Sequence, residues 1–495
     1  MNANGLASLS LGCGHDAEAD LLVVGCLQDE APAVGALPPA LQAVALDLAG
    51  RPGFKGRDKQ VAETSVGGGV RALALRGLGP GEELDSVKLR AWLGTLVDAA
   101  RTSGVTRLAV ALPAHAETRG EAAGERVELH LLGATYRFER YLGRPEKREP
   151  RVRQVSVVPP PGEEGAYRRS LPFAEAAARG VLLARELGNA PPNEASPSWL
   201  EARARELGAA AGMAVEVLDA SELAARGMGG ILAVGAGSAE KPRLVRLAWG
   251  DGGPAVALVG KGITFDTGGI SIKPAESMDE MRYDKCGACT ALAVAVAAAE
   301  WGLPVSLRAY LPIAENMPDG RAYRPGDIVT CHNGKTVEIL NTDAEGRMVL
   351  ADALSLAVEE GAQVLIEYST LTGACMVALG RQAAGLYTPD DLLAQDLLDA
   401  ARRTGERLWR LPLWPEFVEQ MQGTHADLRN STGERWGGAN TAAAFLSQFV
   451  GSLRRWAHLD IAGPASAGKE APGGAGATGY GAALSLAWLR RLGEG

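Results

Sequence analysis

The segment Asn341–Arg347 concentrates ionisable side chains, with carboxylates at Asp343 and Glu345 and a guanidinium at Arg347. Because side chains alternate between the two sides of an extended chain, we expect these three to point the same way. The apolar run Met348–Leu356 that follows is typical of a helix. Two carboxylates that converge at a loop-to-helix junction repel each other unless a cation neutralises them. The segment therefore predicts a site for a divalent metal ion, or for a pair of them.

A second cluster of charged residues lies upstream and follows the apolar run Ala255–Gly260, which has the character of a strand. It ends at Asp284, directly before the alanine-rich run Cys286–Glu300, for which we predict a helix capped by Asp284. Glycines beside these charges allow backbone segments to approach closely. The two clusters together give the candidate residues Lys261, Asp266, Lys273, Asp284, Asp343, Glu345 and Arg347.

Other kinds of site fit the sequence less well. The acids of the downstream cluster would also be favoured at the N-terminus of any helix, through its dipole. The pattern Gly260-Lys-Gly262 lacks the third glycine of a dinucleotide-binding motif, since Phe265 occupies its position. None of the six histidines forms a pair at helical ligand spacing, which disfavours a histidine-based zinc site. We expect His458 to form a hydrogen bond within the core.

The composition is that of a globular enzyme, with 46% hydrophobic and 22% charged residues in a chain of 495. The net charge of −9 disfavours an extended nucleic-acid surface. Six cysteines in no metal-binding or disulfide pattern fit a reducing compartment. Residues 1–11 carry no positive charge typical of a targeting segment, and no apolar run approaches the ~18 residues of a membrane span. We therefore predict a cytoplasmic protein with no membrane partner.

Alternating strand-like and helical patterns predict an α/β fold with two domains. We expect a smaller, non-catalytic N-terminal α/β domain over residues 1–160. A larger catalytic domain over 161–495 should have a mostly parallel central sheet flanked by helices. The predicted strands are Leu21–Cys26, Val70–Leu75, Leu108–Leu112, Val155–Val158, Val215–Leu218, Leu244–Ala248, Ala255–Gly260, Val305–Leu311 and Val364–Tyr368. Helices are predicted over Lys88–Arg101 and, after a break at Pro159–Gly165, over Leu171–Leu187.

Two long motifs in the predicted catalytic domain resemble the paired signatures of the leucine aminopeptidase, or cytosol aminopeptidase, family. They are Gly260-Lys-Gly-Ile-Thr-Phe-Asp-Thr-Gly-Gly269 and Asn341-Thr-Asp-Ala-Glu-Gly-Arg347. Further segments are similar to family segments in the same order: Leu187–Asn193, Ser369–Gly373, Trp436–Phe445 and His458–Pro464. The resemblance covers roughly residue 180 to the C-terminus and fades in the first third.

The resemblance implies a site for two divalent metal ions, Mn or Zn, with a defined role for each candidate residue. Asp266 and Glu345 would bridge the two ions, and Asp343 would complete one of them. Lys261 and Asp284 would complete the other, which requires a neutral lysine whose pKa is far below its usual value of about 10.4. The remaining candidates are not metal ligands: Lys273 would polarise the scissile carbonyl and Arg347 would hold a bicarbonate ion that accepts a proton.

The resemblance also implies a pocket for the first side chain of a peptide substrate, lined by Met281, Thr370, Leu371, Gly373, Ala462 and Ala465. These residues are mostly small and apolar, so we expect leucine and other apolar residues to be released from the N-terminus. Lys285 stands where the family usually has an apolar residue, and its charge is predicted to weaken metal binding. The family's homohexamer is the implied assembly.

Two other functions remain open from the sequence. A DNA-binding or regulatory protein could use the same fold, although the acidic charge makes nucleic acid an unlikely partner. Carboxylate-bridged metal ions also suit phosphoester hydrolysis, but the lysine ligand and the arrangement of Lys273 and Arg347 resemble the aminopeptidase.

Overall fold

The computed structural model describes residues 7–12, 18–67, 69–143, 151–469, 471 and 474–494. By their internal contacts these residues form two compact units. The first contains the described residues up to Leu182, together with Arg403–Gly405 and the described part of 470–474. The second contains the rest of the chain. Among the described helices, none is long and apolar enough to cross a bilayer.

The first unit is built on a six-stranded sheet with the order β1-β6-β5-β2-β4-β3. All neighbouring strands are parallel except β3, which runs antiparallel to β4 at the edge. Its strands are β1 (Ser8–Leu11), β2 (Ala19–Cys26), β3 (Val61–Ser65), β4 (Val70–Gly77), β5 (Arg107–Ala111) and β6 (Gln154–Val158). Its helices are α1 (Pro39–Ala49), α2 (Ser86–Thr102), α3 (Glu121–Ala134) and the start of α4 (Glu164–Asn189).

The sheet and helices of the first unit follow from local sequence. Every residue of β2 is buried, as expected of a central strand that is covered on both faces. Helix α2 begins where the Asp85 carboxylate accepts a hydrogen bond from the Lys88 amide at 2.7 Å. Helix α4 starts at Glu164 and continues through Pro172, so the prediction of a start near Leu171 was too late.

The second unit is built on a nine-stranded sheet with the order β16-β15-β18-β14-β9-β11-β8-β7, and β10 pairs with β11 outside that path. Its central pairs, β18-β14, β14-β9 and β9-β11, are parallel, and antiparallel pairs lie towards the edges. The strands are β7 (Ala214–Leu218), β8 (Arg243–Trp249), β9 (Ala255–Gly260), β10 (Gly262–Asp266), β11 (Ser306–Asn316), β14 (Val364–Ser369), β15 (Ala384–Tyr387), β16 (Leu408–Arg410) and β18 (Trp456–Asp460). Short strands outside this sheet are β12 (Ile328–Thr330), β13 (Thr336–Glu338), β17 (Leu428–Arg429), β19 (Ser466–Ala467) and β20 (Gly476–Ala477).

Helices cover the sheet of the second unit. They are α5 (Pro197–Ala210), α6 (Ala220–Ala225), α7 (Gly229–Gly235), α8 (Cys286–Trp301), α9 (Gly346–Glu359), α10 (Gly373–Leu379), α11 (Asp391–Thr404), α12 (Pro415–Glu419), α13 (Gly438–Ser447) and α14 (Ala482–Gly493). Helices α8 and α9 are buried on nearly all sides, which explains why their sequences are apolar throughout rather than amphipathic.

The predicted α/β class is confirmed, including the mostly parallel sheet flanked by helices in the larger unit. Each predicted strand overlaps an observed one. The buried parallel strands, such as β9 and β14, are continuous apolar runs that the sequence displays directly. The compact units divide between Leu182 and Leu183, within α4. The assignment of separate functional domains to 1–160 and 161–495 stays a prediction.

Candidate metal centre

The upstream cluster lies at the carboxyl ends of parallel strands in the second unit. Lys261 directly follows β9, and its amide donates to the Tyr368 carbonyl of β14 at 3.0 Å. Asp266 is the last residue of β10, and Asn316 is the last residue of the parallel strand β11. The Asn316 side-chain amide donates to Asp266 at 2.8 Å and to the Thr342 carbonyl at 3.0 Å. This is the edge at which open α/β sheets bind ligands.

The downstream cluster reaches the same edge through a turn. Residues 341–345 do not form the extended run that the sequence suggested, because Glu345 has helical torsions (φ −74°, ψ −37°) and α9 begins at Gly346. The Asp343 amide donates to the Asn341 side chain at 2.9 Å, which closes the turn. The acids converge by this turn rather than by strand alternation, so that part of the prediction was wrong.

Close backbone approach brings the two clusters together. A Cβ atom placed on Gly346 would lie 2.6 Å from Cε of Lys261, so only glycine lets α9 begin beside this lysine. At Gly268 the backbone has φ +85°, and an added Cβ would lie 2.9 Å from Oδ1 of Asp343. Both positions therefore require glycine, as the glycines beside these charges suggested.

Two lysines lie among the four carboxylates. The Lys261 Nζ atom is 2.8 Å from Oδ1 of Asp284 and 2.8 Å from Oε1 of Glu345, and it donates to the Thr370 carbonyl at 3.1 Å. The Lys273 Nζ atom is 2.8 Å from Oδ2 of Asp266 and also forms an ion pair with Asp343. The structure thus gathers six of the seven candidate side chains into two adjacent ion-paired groups, one around each lysine.

The cluster has the ligand set of a hard or borderline divalent cation. Oxygen atoms of Asp266, Asp343 and Glu345 all lie within 4.8 Å of one another. One carboxylate oxygen of Asp284 and one of Glu345 are buried without a hydrogen-bond partner among the described residues. Buried carboxylate oxygens without donors are costly, and a bound cation would satisfy them. These residues therefore fit divalent metal ions.

Burial and mutual repulsion shift the pKa values of the cluster. Burial raises the pKa of Glu345 to about 7, with a further contribution from the charge of Asp266, and burial raises that of Asp343 to about 6. Burial also raises the pKa of Asp284. For both lysines burial would lower the pKa, but the surrounding carboxylates outweigh it and the pKa is raised. The acids thus require positive charge nearby in order to ionise, which is the electrostatic condition for a metal site.

Asp284 and its neighbour Lys285 differ from expectation. The Asp284 carboxylate does not cap α8, since it accepts from Lys261 and, at 2.6 Å, from the Thr370 hydroxyl. The amino group of Lys285 is fully buried and donates to the carbonyls of Gly188 at 3.1 Å and Ala190 at 3.0 Å, and also to that of Arg282. Burial lowers its pKa. Lys285 thus connects the segment around Gly188 and Ala190 with the start of α8 through hydrogen bonds. Its effect on metal binding stays a prediction.

Arg347 lies beside the cluster without touching its carboxylates. Its Nη1 atom donates to the Asn430 carbonyl at 2.6 Å, and its Nε atom is buried without a partner among the described residues. Burial lowers the pKa of this guanidinium to about 10, partly offset by the charges of Glu345 and Asp460. A buried guanidinium with a free donor fits a small anion such as bicarbonate.

The proposed pocket residues fall on segments that leave the sheet next to the cluster. Thr370 and Leu371 follow β14, Gly373 begins α10, and Ala462 follows β18. Thr370 contacts both Lys261 and Asp284 directly, as described above. The Leu371 and Ala462 amides each donate to Asp460 at 3.2 Å. Of the remaining two, Ala465 is buried, and Met281 lies in a 3₁₀ helix that ends just before Asp284.

Several residues at the site were not singled out from the sequence. They are Asn316, which donates to Asp266, Thr342, which holds the turn, Asn430, which accepts from Arg347, and Asp460. Asn316 and Asp460 end strands β11 and β18, so the rule that ligands lie at the carboxyl ends of strands could have indicated them. His458 lies in the core as expected, fully buried and bonded to Glu367.

Comparison with known proteins agrees with this geometry. The model of the "Cytosol aminopeptidase family, catalytic domain" matches residues 182–486, which include every residue of the cluster. The chain belongs to the cytosol aminopeptidase family. It is thus an aminopeptidase, a hydrolase that acts as an exopeptidase. The model of the family's N-terminal domain matches residues 23–145. The similarity to the family therefore extends into the first third of the chain, where the sequence motifs alone did not reveal it.

Relatives match over nearly the whole chain. A probable cytosol aminopeptidase of Roseiflexus castenholzii is 42% identical over 95% of this chain and 96% of its own. One from Geobacter sp. is also 42% identical, over 95% and 96%. Among solved structures, the bottromycin maturation enzyme BotP in complex with Mn has a TM-score of 0.82 at 35% identity, covering 96% of this chain and all of that one. A mutant of tomato leucine aminopeptidase has a TM-score of 0.83 at 32% identity, covering 98% and 96%.

Proposed function

We propose that this aminopeptidase uses two divalent metal ions to release leucine and other apolar residues from the N-termini of peptides. The observation that carries the proposal is the buried group of four carboxylates with two lysines at the carboxyl edge of the sheet. Asp266, Glu345 and Asp343 would hold one ion, and Asp266, Glu345, Asp284 and Lys261 the other. Lys261 would bind as the neutral amine, so the positive charge of the ions would have to reverse the rise in its pKa that the carboxylates alone cause. Mn or Zn fits this ligand set, and Mn accompanies one structural relative.

Each chain residue then has a defined task. Metal ions at such a site supply an activated water and polarise the carbonyl to be attacked. The Lys273 ammonium, fixed between Asp266 and Asp343, supplies positive charge to the carbonyl oxygen as negative charge develops there. Arg347 would hold a bicarbonate ion, which would serve as a proton acceptor. Water adds to the carbonyl carbon, and the C–N bond breaks as a proton of that water passes to the leaving nitrogen, which yields a free amino acid and a shortened peptide.

The proposed preference for apolar N-terminal residues rests on the residues of the proposed pocket. Leu371 is partly buried against the apolar core, and Ala465 is buried in the chain segment that follows β18. Small and apolar walls favour an apolar first side chain by burying its surface. We also propose a cytoplasmic location, in keeping with the free, buried cysteines among the described residues. A homohexamer is the proposed assembly.

The deciding experiment is hydrolysis of leucine p-nitroanilide by chelator-treated protein, before and after addition of Mn²⁺ or Zn²⁺. N-acetylleucine p-nitroanilide and an aryl phosphate serve as control substrates. We expect metal-dependent cleavage of the free-amine substrate alone. Cleavage of the acetylated substrate would contradict an exopeptidase, and cleavage of the phosphate would favour the phosphoesterase.

A variant pair tests the role of Lys273. Lys273→Met should lower kcat by about a hundredfold, the usual scale for loss of one group that stabilises an oxyanion. Lys241→Met, at an exposed lysine outside the cluster, is the matched control and should leave kcat unchanged. Equal activity of both variants would contradict the role given to Lys273. Salt-dependent retardation of DNA by the protein in a gel-shift assay would be needed to revive the regulatory alternative, which the comparisons do not favour.

A further inference from the structure

The Asp460 side chain joins the two segments that carry most of the proposed pocket. Its Oδ1 atom accepts hydrogen bonds from the Leu371 amide and the Ala462 amide, each at 3.2 Å. Its Oδ2 atom accepts from the Thr372 hydroxyl at 2.7 Å. One carboxylate therefore receives three hydrogen bonds from two separate parts of the chain.

The position of Asp460 in the sheet explains why one residue can span both segments. It ends β18, where it pairs with Ser369 of β14 on one side and with Gly385 of β15 on the other. The last backbone hydrogen bond between β14 and the segment after β18 runs from the Ile461 amide to the Ser369 carbonyl, at 2.8 Å. Beyond it, the Asp460 carboxylate connects the segment that follows β14 with the segment that follows β18.

The connection continues into α10. The Thr372 hydroxyl that donates to Asp460 also accepts from the Cys375 amide at 3.0 Å, as the N-cap of this helix. Gly373, another proposed pocket residue, is the first residue of α10. Asp460 is fully buried, so its bonds lie in surroundings where hydrogen bonds to a charged acceptor are strong.

We propose that Asp460 is a positioning residue that sets selectivity for the first side chain of the substrate. By holding Leu371, Thr372 and Ala462 at fixed separation, its carboxylate fixes the width of the pocket between the two segments. Among the described residues, its carboxylate forms no hydrogen bond or ion pair with a proposed metal ligand. The inference deepens the proposed function and rests on it, because the pocket residues were assigned through that function.

The test compares selectivity rather than activity alone. We would measure kcat/KM of the metal-loaded full chain on leucine and alanine p-nitroanilides, for the parent protein and for Asp460→Ala, Asp460→Asn and Thr372→Val. Loss of the carboxylate should lower the leucine-to-alanine ratio about tenfold in Asp460→Ala, mainly through KM, since pocket contacts of this kind discriminate by about 10- to 200-fold. Asp460→Asn should restore most of the ratio, because its side-chain oxygen still accepts from both amides.

Thr372→Val keeps the carboxylate and removes one of its three donors, so we expect an intermediate loss of the ratio. If circular dichroism shows that Asp460→Ala does not fold, the leucine-to-alanine ratio of Thr372→Val tests the inference instead. An unchanged ratio in a folded Asp460→Ala, or in Thr372→Val when Asp460→Ala is unfolded, overturns the inference. A parent protein that cleaves neither substrate at confirmed metal occupancy overturns the proposed function itself, which is a different result.

Discussion

The balance of positive and negative charge determines how each carboxylate of the cluster ionises and binds a cation. Lys261 and Lys273 each lie between two carboxylates, and Glu345 is buried with one oxygen lacking a donor. Removing one carboxylate alters the affinity of the others for a cation, because each contributes negative charge to a largely buried cluster.

Glu345→Gln should therefore reduce both metal content and activity. The variant loses a charged oxygen ligand, so we expect fewer bound ions per chain and a fall in kcat/KM of about a hundredfold or more. The measurement is elemental analysis after dialysis, beside the leucine p-nitroanilide assay. Glu82→Gln, an exposed glutamate of the first unit, is the matched control. Full metal content in Glu345→Gln would contradict its role as a ligand.

Lys285→Met should destabilise the second unit. Its amino group donates to the carbonyls of Gly188 and Ala190, and methionine would leave these buried acceptors unsatisfied. We expect a loss of about 1–3 kcal/mol in the free energy of unfolding. Urea denaturation measures it, with Lys241→Met as the lysine control. A metal titration of the same variant tests the separate prediction that the charge of Lys285 weakens metal binding.

At the scale of elements, the loop that carries Lys273 is fastened to the turn that carries Asp343. The Ser271 amide donates to the Thr342 hydroxyl at 2.8 Å, and the Thr342 amide donates to the Ser271 hydroxyl at 3.1 Å. The Thr342 hydroxyl in turn donates to the Gly268 carbonyl at 2.6 Å. This reciprocal pair fixes the loop that carries Lys273 relative to the turn that carries Asp343.

Thr342→Val should lower kcat while Thr342→Ser retains most of it. Valine has nearly the shape of threonine but lacks the hydroxyl, so the loop carrying Lys273 loses two hydrogen bonds without a gap in packing. Misplacement of a reacting group by about 1 Å can cost roughly a hundredfold in rate, and we expect a fall of about tenfold to a hundredfold. Steady-state kinetics measures the fall in kcat, and a thermal melt of the same variant shows whether the variant is folded. Similar kcat for the two variants would rule out the fastening role.

The sequence allowed prediction of those elements whose signals are local. Buried strands such as β9 and β14 are uninterrupted apolar runs, so their positions could be predicted closely. The turn at residues 341–345 could not, because the Asn316 side chain and the Tyr323 hydroxyl hold the Thr342 carbonyl from distant parts of the chain. The cap expected of Asp284 failed for the same reason, since Lys261 and Thr370 compete for its carboxylate. The identity of the charged residues was predictable, whereas the way in which they converge depended on tertiary contacts.

At the scale of the whole molecule, we expect stability to depend on a buried acid of the first unit that does not belong to the proposed metal centre. Glu128 on α3 is fully buried in the first unit, where the Ser170 hydroxyl donates to it at 2.7 Å. Burial raises its pKa to about 8, and the charges of Glu125 and Glu175 add to the increase. The folded unit therefore keeps a proton that the unfolded chain, with a glutamate pKa of about 4.3, releases.

Stability should consequently fall as pH rises from about 4.5 to 8, because the folded state binds more protons than the unfolded state across that interval. Glu128→Gln removes the contribution of this group, so between pH 5 and pH 9 its free energy of unfolding should rise relative to that of the parent by on the order of 4 kcal/mol. Urea denaturation at both pH values measures the difference, with Glu82→Gln as the control. Equal pH dependence in the variant and the parent would show that Glu128 ionises freely in the folded protein.

The strand order of the second unit has a consequence for synthesis on the ribosome. Strand β18, at residues 456–460, lies between β14 and β15 in the finished sheet, although both of these strands precede it in the chain. A nascent chain that has not yet emerged beyond β18 can neither join β14 to β15 nor supply Asp460. The residues proposed as metal ligands, all upstream of residue 350, are already made at that point. With the roles proposed for these residues, we expect selective cleavage only after nearly complete translation, and we expect a prematurely terminated chain to contain the proposed ligands without an ordered pocket.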